Sequence, residues 1–209
     1  DERISIAINA DSIATWALDA LQDLVHQRLP LEIIVDDQDF TQEWLRSGQV
    51  LGCVTTLKQA LRGCKMVPLG AMRYVAVASP TFAQKHLPGG LTAHNFRTVP
   101  YLSFNRKDDM AVEFVARAFG LKRVALNHLF VPSSEGQMRA VAAGWAVGVL
   151  PELLVRDKLA DGSLVDMVPG QVLPIQLYWH CWNLESEVLD ALTLALTDTA
   201  AQSLVATRG

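Results

Sequence analysis

Short apolar runs rich in β-branched residues alternate along the chain with stretches in which apolar residues recur at helical spacing. The runs at residues 31–35 and 147–150 are typical of strands buried on both faces, which are almost continuously apolar. Alternation of this kind predicts an α/β protein with mainly parallel sheets. We predict strands at residues 4–9, 31–36, 50–55, 65–69, 73–79, 99–104, 124–130, 146–150 and 175–182. We predict helices at residues 13–27, 40–47, 81–86, 109–119, 134–143, 152–159 and 185–204.

The final predicted helix carries a single apolar stripe, and we expect this stripe to pack on the first half of the chain. It consists of Val188, Leu189, Leu192, Leu196 and Leu204. An earlier helix is predicted to start at Ser133 or Ser134, because a serine followed by acidic and amide residues is typical of a capped N-terminus.

The turn-rich segments at 86–90 and 168–170 lie inside the middle portion of the chain rather than between two equal halves. This layout fits a two-lobed architecture in which the chain crosses over twice. Ligands of open α/β sheets bind outside the carboxyl ends of the strands. We therefore expect the functional residues to lie just after predicted strands.

Composition narrows the class of protein. The 18 basic and 22 acidic residues give a net charge of -4, and the basic residues are scattered, which argues against nucleic-acid binding by this segment. Apolar segments are interrupted before the roughly 18 residues that a membrane span requires. The start Asp1-Glu2-Arg3 lacks the features of a secretory signal and, without Met, suggests a processed or excised chain. Three cysteines at no metal-like spacing predict reduced thiols in a cytoplasmic protein.

Catalytic and metal-binding patterns are not found in the sequence. The five histidines show no pair at metal-binding helical spacing. His180 and Cys181 are neighbours on a predicted strand, so their side chains point to opposite faces and do not form a dyad. No phosphate-binding glycine loop, nucleophile elbow or C-x-x-C motif is present. We therefore expect neither an enzyme nor a bound metal or cofactor.

Polar residues follow five of the predicted strands. They occupy residues 9–15, 36–39, 55–56, 105–109 and 132–135. Hydroxyl groups and helix N-termini bind anions, whereas carboxylates bind cations. If these segments converge, they suit an amphoteric ligand such as a basic amino acid.

Each of these features also has a simpler structural explanation. Asp11 or Ser12 can serve as an N-cap, which strand-to-helix turns use constantly. The acidic runs can be solvated charges at helix starts, where the macrodipole favours them. Trp16, Trp44 and residues 178–179 can wall a ligand cleft or fill the hydrophobic core.

Five ordered segments of the chain resemble the effector-binding portion of LysR-type transcriptional regulators, and the resemblance runs from about Ile4 to the final helix. Within that family they look like the ArgP (IciA) group, which responds to lysine and arginine and governs basic amino-acid export. The segments are Asn9-Ala10-Asp11-Ser12-Ile13-Ala14-Thr15-Trp16, Asp37 with Thr41-Gln42-Glu43 and Leu45-Arg46-Ser47-Gly48, Phe104 with Asp108-Asp109-Met110, Ser133-Ser134-Glu135, and Leu177-Tyr178-Trp179-His180.

The resemblance implies two Rossmann-like subdomains joined by a double crossover, as in type 2 periplasmic binding proteins. Subdomain I would comprise residues 1–74 plus 175–209, and subdomain II residues 75–174, with the effector between them. The family also carries an N-terminal winged helix-turn-helix and a linker helix that bind DNA. No basic recognition helix precedes Ile4, so we expect this chain to be a regulatory fragment that reaches DNA only through that missing domain.

The resemblance also assigns an effector site. It places the α-carboxylate of an amino acid on Ser12, Thr15 and nearby helix N–H groups, and the side-chain cation on one of two aspartate pairs. The sequence leaves open whether that pair is 36–37 or 108–109. The full set is Ser12, Thr15, Trp16, Asp36, Asp37, Asp108, Asp109, Ser133, Ser134 and Glu135.

The resemblance thus implies a domain that binds lysine or arginine and modulates transcription, with amino-acid export genes as the expected targets. It implies a homodimer, or a tetramer in the full-length protein, with no membrane partner. A free-standing solute-binding protein for a basic amino acid is the alternative, since it shares the two-lobed fold. An enzyme is the third and least favoured interpretation, because a fold of this kind does not imply catalysis.

Overall fold

The computed structural model describes residues 3–36 and 41–206. Its strands are β1 (Ile4–Asn9), β2 (Leu31–Asp36), β3 (Gly52–Thr55), β4 (Cys64–Ala78), β5 (Pro100–Ser103), β6 (Asn127–Phe130), β7 (Val147–Pro151), β8 (Val165–Asp166) and β9 (Leu173–Trp182). Its α-helices are α1 (Ala10–Ser12), α2 (Leu18–His26), α3 (Thr41–Arg46), α4 (Pro80–His86), α5 (Met110–Phe119), α6 (Ser134–Ala142), α7 (Glu152–Asp161) and α8 (Glu187–Ser203). A π-helical segment (Ile13–Ala17) joins α1 to α2, and a 3-10 turn (Phe96–Thr98) precedes β5.

The chain divides into two compact units. Unit 1 comprises Asp1–Met72 and Ile175–Gly209, and unit 2 comprises Arg73–Pro174. The chain leaves unit 1 within β4 and returns to it within β9. The chain therefore passes between the two units twice, each time within a long strand.

In unit 1, β1 lies between β2 and β3 and pairs with both in parallel, and β9 pairs with β3 in the antiparallel sense. Helix α3 packs against β1 and β3. Ala7 and Cys53 belong to the apolar cluster that contains Leu45 of α3. The neighbouring residues Ile6 and Ile8 are also fully buried, so both faces of β1 are covered. Burial on both faces explains why this strand is almost continuously apolar.

The apolar stripe of the last helix packs as the sequence predicts. Helix α8 packs against α2 in unit 1, and Leu189, Leu192 and Leu196 are buried at this contact side of the helix. Val188 is half-buried, and Leu204 is buried just beyond the helix end. Burial of three leucines contributes several kcal/mol, at about 1.5–3 kcal/mol for each fully buried side chain.

In unit 2, β7 lies between β4 and β5. It pairs with β4 in the antiparallel sense and with β5 in parallel, and β6 extends the sheet in parallel beyond β5. The short strand β8 pairs with β4. Val77, Leu102, Val141, Leu150 and Val155 belong to one buried apolar cluster, which joins strands to helices α6 and α7.

The α/β class and most elements are predicted correctly, but three features differ. The sheets are mixed rather than mainly parallel, because the two crossing strands β4 and β9 run antiparallel to their neighbours β7 and β3. The two strands predicted at 65–69 and 73–79 are one strand, β4 (Cys64–Ala78), since Gly70 continues the strand at φ 122 and lets the backbone approach Leu204 and Val205 closely. The two-residue strand β8 is too short to leave a sequence pattern.

Candidate functional site

The carboxyl ends of the parallel strands in unit 1 lie side by side. Ile8 of β1 pairs with Val54 of β3, and Asn9 pairs with Asp36 at the end of β2. Asn9 and Thr55, the last residues of β1 and β3, are both buried. This edge therefore brings polar side chains from two strands into a region shielded from solvent.

The helix after β1 starts two or three residues earlier than a cap at Asp11 or Ser12 would require. Helix α1 begins at Ala10, and Asn9 occupies the N-cap position with extended backbone. The interpretation of Asp11 or Ser12 as the N-cap is therefore wrong. Ser12 lies inside the helix and directly precedes the π-helical segment. Such segments are rare and occur often at functional sites.

Ser12 and Trp16 place two hydrogen-bonding groups on one side of this helix, four residues apart. Ser12 is 0% exposed and Trp16 is 1% exposed. Within the described ranges 3–36 and 41–206, neither Oγ of Ser12 nor Nε1 of Trp16 has a hydrogen-bond partner. Leaving such groups unsatisfied costs about 1–3 kcal/mol each, so they call for an explanation.

The remaining predicted site residues of unit 1 have different environments. The hydroxyl of Thr15 donates a hydrogen bond to the carbonyl oxygen of Asp11 at 2.6 Å, so its proton is used within the helix. Asp36 ends β2 beside Asn9. Asp37 lies outside the described residues. Among the predicted site residues of unit 1, Ser12 and Trp16 are thus the two whose side chains have buried hydrogen-bonding atoms without a partner in the described part of the chain.

In unit 2, the segment after β5 is held by one carboxylate. Oδ2 of Asp108 accepts a hydrogen bond from the amide of Phe104 at 2.8 Å, and Oδ1 accepts one from the amide of Met110 at 2.9 Å. Asp108 therefore fixes the loop between β5 and α5. Asp109 precedes α5 at the N-cap position, and its side chain is exposed.

The segment after β6 forms a capped helix start, as the sequence predicts. Oγ of Ser133 accepts a hydrogen bond from the amide of Gly136 at 2.9 Å, so Ser133 is the N-cap of α6. Ser134 is buried and Glu135 is exposed. Because β5 and β6 are parallel neighbours, this helix start and the Asp108 loop follow adjacent strand ends within unit 2.

His180 is a buried polar group that the site prediction missed. Its Nε2 lies 2.7 Å from the carbonyl oxygen of Leu57 and donates to it, while Nδ1 is buried without a partner among the described residues. Burial lowers the pKa of His180, and the bond to Leu57 opposes this effect. Cys181, the next residue of β9, has its Sγ atom 4.0 Å from Oγ1 of Thr193 on α8.

Burial disfavours the thiolate form of the three cysteines. Burial raises the pKa of Cys53 to about 12, and it also raises the pKa of Cys64 and Cys181. Nucleophilic or metal-binding cysteines require the opposite shift. Among residues 3–36 and 41–206, no group of three or more His, Cys, Asp or Glu side chains is arranged to hold a metal ion. Within the same residues, no helix combines the length and apolar character needed to cross a membrane.

Comparison with known proteins identifies the family. The sequence model of the LysR substrate binding domain family matches residues 1–205 of this chain. The HTH-type transcriptional regulator ArgP of Aeromonas salmonicida is 44% identical over 184 residues, which cover 88% of this chain and 62% of that protein. The chain therefore spans somewhat less than two thirds of this relative.

Two solved structures are similar over almost the whole chain. The C-terminal domains of a LysR family protein from Agrobacterium tumefaciens match with a TM-score of 0.92 and 39% identity, covering 99% of this chain and 100% of that one. Full-length LysG from Corynebacterium glutamicum with bound effector Arg matches with a TM-score of 0.86 and 30% identity, covering 98% of this chain and 70% of that one. Family, sequence and fold agree, and the chain belongs to the LysR substrate-binding domains, which are parts of transcriptional regulators rather than enzymes.

Proposed function

We propose that this chain senses a basic amino acid, lysine or arginine, on behalf of a DNA-binding regulator. Ligand binding favours one of two states of the regulator and thereby changes its contacts with promoter DNA, with amino-acid export genes as targets. Such coupling requires a difference in affinity between the two states, because binding both states equally shifts nothing. In this proposal, a part of the regulator other than this chain binds the DNA.

The observation that carries this proposal is the pair of unsatisfied groups at Ser12 and Trp16. The hydroxyl of Ser12 and the indole N–H of Trp16 can both donate to a carboxylate, and both are buried without a partner among the described residues. Hydrogen bonds to a charged group contribute about 1.5–3 kcal/mol, more than neutral ones. An α-carboxylate at this position satisfies both groups at once.

Two further observations support a cationic side chain on the ligand. LysG, which shares the fold, has a structure with bound effector Arg. In this chain, Asp36 ends β2 and pairs with Asn9, the residue that directly precedes the helix containing Ser12. Both oxygens of Asp108 already accept backbone amides. We therefore assign the ligand's cation to the acidic segment that begins at Asp36, in preference to the segment at Asp108.

Arginine and lysine are expected to raise the thermal stability of the 209-residue chain. A ligand that binds only the folded state stabilises it by about 2.7 kcal/mol at a hundredfold excess over Kd, and one kcal/mol raises Tm by about 2–4 °C at this chain length. We therefore expect Tm to rise by about 5–10 °C with saturating arginine. Differential scanning fluorimetry across a ligand concentration series measures this shift.

Two arginine analogues are matched controls. Citrulline keeps the shape of arginine but lacks its charge, and agmatine keeps the guanidinium but lacks the carboxylate. Neither should shift Tm appreciably at the concentration at which arginine saturates. A chain that responds to none of the basic amino acids, or equally to citrulline, would exclude a basic amino acid as the effector.

We also propose that the chain forms a homodimer through apolar surface that a single copy leaves exposed. Leu18 and Val25 are seven residues apart on one face of α2, and their side chains are 52% and 45% exposed. Val35 is exposed on the edge strand β2. In unit 2, Leu129 and Phe130 are exposed on β6, another edge strand. Exposed apolar edges of this kind are typical of protein–protein contacts.

The double variant Leu18→Glu/Val25→Glu is expected to weaken dimerisation at least tenfold, because it places two charges on the proposed contact face. Sedimentation velocity over a concentration series measures the dimer Kd. The matched control is Leu194→Glu, which changes a leucine on α8 that is even more exposed than Leu18 and should leave the Kd unchanged. A wild-type chain that stays monomeric, or equal effects of both changes, would rule out this surface.

A further inference from the structure

One cavity is lined entirely by residues of unit 2. It has a volume of about 560 Å³ and is bounded by α4, the 87–90 turn and the 165–169 segment. Its exposed apolar lining residues are Pro80, Pro88, Val165 and Pro169, whereas Leu87 and Met167 are buried beneath it. The volume falls within the range of small-molecule sites, which are mostly apolar with a few polar groups.

The walls of this cavity are held together by backbone hydrogen bonds. The amide of Leu91 donates to the carbonyl oxygen of Met167 at 2.9 Å, and the amide of Met167 donates to that of Ala76 at 2.8 Å. Gly90 has φ +97, and a Cβ there would lie 3.0 Å from the same Met167 oxygen. The close approach of these two segments requires glycine at this position. The cavity is therefore preformed rather than dependent on a ligand.

Asp166 is the one charged residue in the described lining of this cavity. Its Oδ1 accepts a hydrogen bond from the amide of Val168 at 3.0 Å, and the side chain is half-buried. Burial raises the pKa of Asp166, and nearby Glu152 raises it further against the opposing effect of the Val168 amide. The side chains of Lys85 and His86 line a different cavity. Asp166 is therefore the charged group that the described lining of this cavity offers to a ligand.

We propose that this cavity binds a small organic cation with an apolar body, whose ammonium group pairs with Asp166 and whose body packs on the exposed side chains of Pro88 and Val165. The apolar walls favour the body by removing it from water. The carboxylate favours a cation over neutral or anionic molecules of the same shape, because a half-buried charge gains most from an opposite charge. Gln84, at the rim, adds a polar group that can orient the ligand.

Tryptamine is a suitable probe, with tryptophol as its neutral analogue and indole-3-propionate as its anionic analogue. We expect tryptamine to shift the amide NMR signals of residues 83–90 and 165–169 saturably, also in the presence of saturating arginine. Tryptophol should bind at least tenfold more weakly, and indole-3-propionate should not bind. Asp166→Asn should weaken tryptamine binding at least tenfold, because asparagine can still accept the hydrogen bond from the Val168 amide but carries no charge.

A second variant tests the location. Ala83→Leu on α4 extends a side chain into the cavity while keeping a good helix former, and it should abolish tryptamine binding. Thermal unfolding of both variants confirms that they are folded. The proposal is overturned if tryptamine causes no saturable shifts in the two segments, if Asp166→Asn or Ala83→Leu binds it as tightly as the wild type, or if tryptophol binds equally well.

Discussion

Replacing Gly52 by alanine is expected to destabilise the chain by about 3 kcal/mol, at the upper end of the usual cost of overpacking a core. A Cβ at Gly52 would lie 2.5 Å from Cζ2 of Trp179 and closer still to its Cη2 atom. The indole cannot retreat, since Trp179 is fully buried and its Nε1 donates to Oγ1 of Thr193 on α8 at 2.9 Å. Urea unfolding followed by circular dichroism measures the loss.

Two further variants separate this clash from a general effect of adding a methyl group. At Gly48, φ is +77 and no atom lies within 4 Å of a Cβ, so Gly48→Ala should cost only the roughly 1 kcal/mol of a left-handed backbone. Trp179→Phe removes the ring atoms that meet the new methyl group. In that background Gly52→Ala should cost about 1 kcal/mol or less, which gives a coupling energy of about 2 kcal/mol. Equal losses at Gly52 and Gly48 would contradict the clash.

The contact between Gly52 and Trp179 illustrates which parts of the fold the sequence predicts. Local patterns identify β3 and β9, because apolar runs and helical stripes depend on near neighbours. The register that pairs Val54 with Trp179 joins residues 125 positions apart, and no local pattern encodes it. The same limit explains the mixed sheet. A run of apolar residues predicts a buried strand but does not give its direction relative to its neighbours.

The candidate site shows the same division between local and long-range information. Ser12 and Trp16 could be predicted from their position after a strand, and Ser133 could be predicted as a helix cap. His180 was missed as a buried polar group because its partner, the carbonyl oxygen of Leu57, is 123 positions away in the chain. Asp166 was missed because its cavity exists only where the 87–90 turn meets Met167. Strand-end residues are thus accessible to sequence analysis, whereas sites built by tertiary contacts are not.

Ser12→Ala is expected to weaken arginine binding about 30- to 100-fold, equivalent to roughly 2–3 kcal/mol for a lost hydrogen bond to a carboxylate. Without ligand, the variant should be at least as stable as the wild type, because the deleted hydroxyl has no partner among the described residues. Isothermal titration calorimetry with arginine measures the affinity. Trp16→Phe, which removes the other unsatisfied donor, should weaken binding in the same direction.

Ser79→Ala is the matched control, because it deletes another buried serine hydroxyl but one that is already in use. Oγ of Ser79 accepts the amide of Phe82 at 3.1 Å and caps α4 in unit 2, so its loss should cost about 1 kcal/mol of stability without changing arginine affinity. Opposite outcomes are thus expected for the same chemical change. The Ser12→Ala variant should lose affinity for arginine and keep its stability, whereas the Ser79→Ala variant should lose stability and keep its affinity for arginine. If Ser12→Ala binds arginine as tightly as Ser79→Ala, the hydroxyl of Ser12 does not hold the ligand's carboxylate.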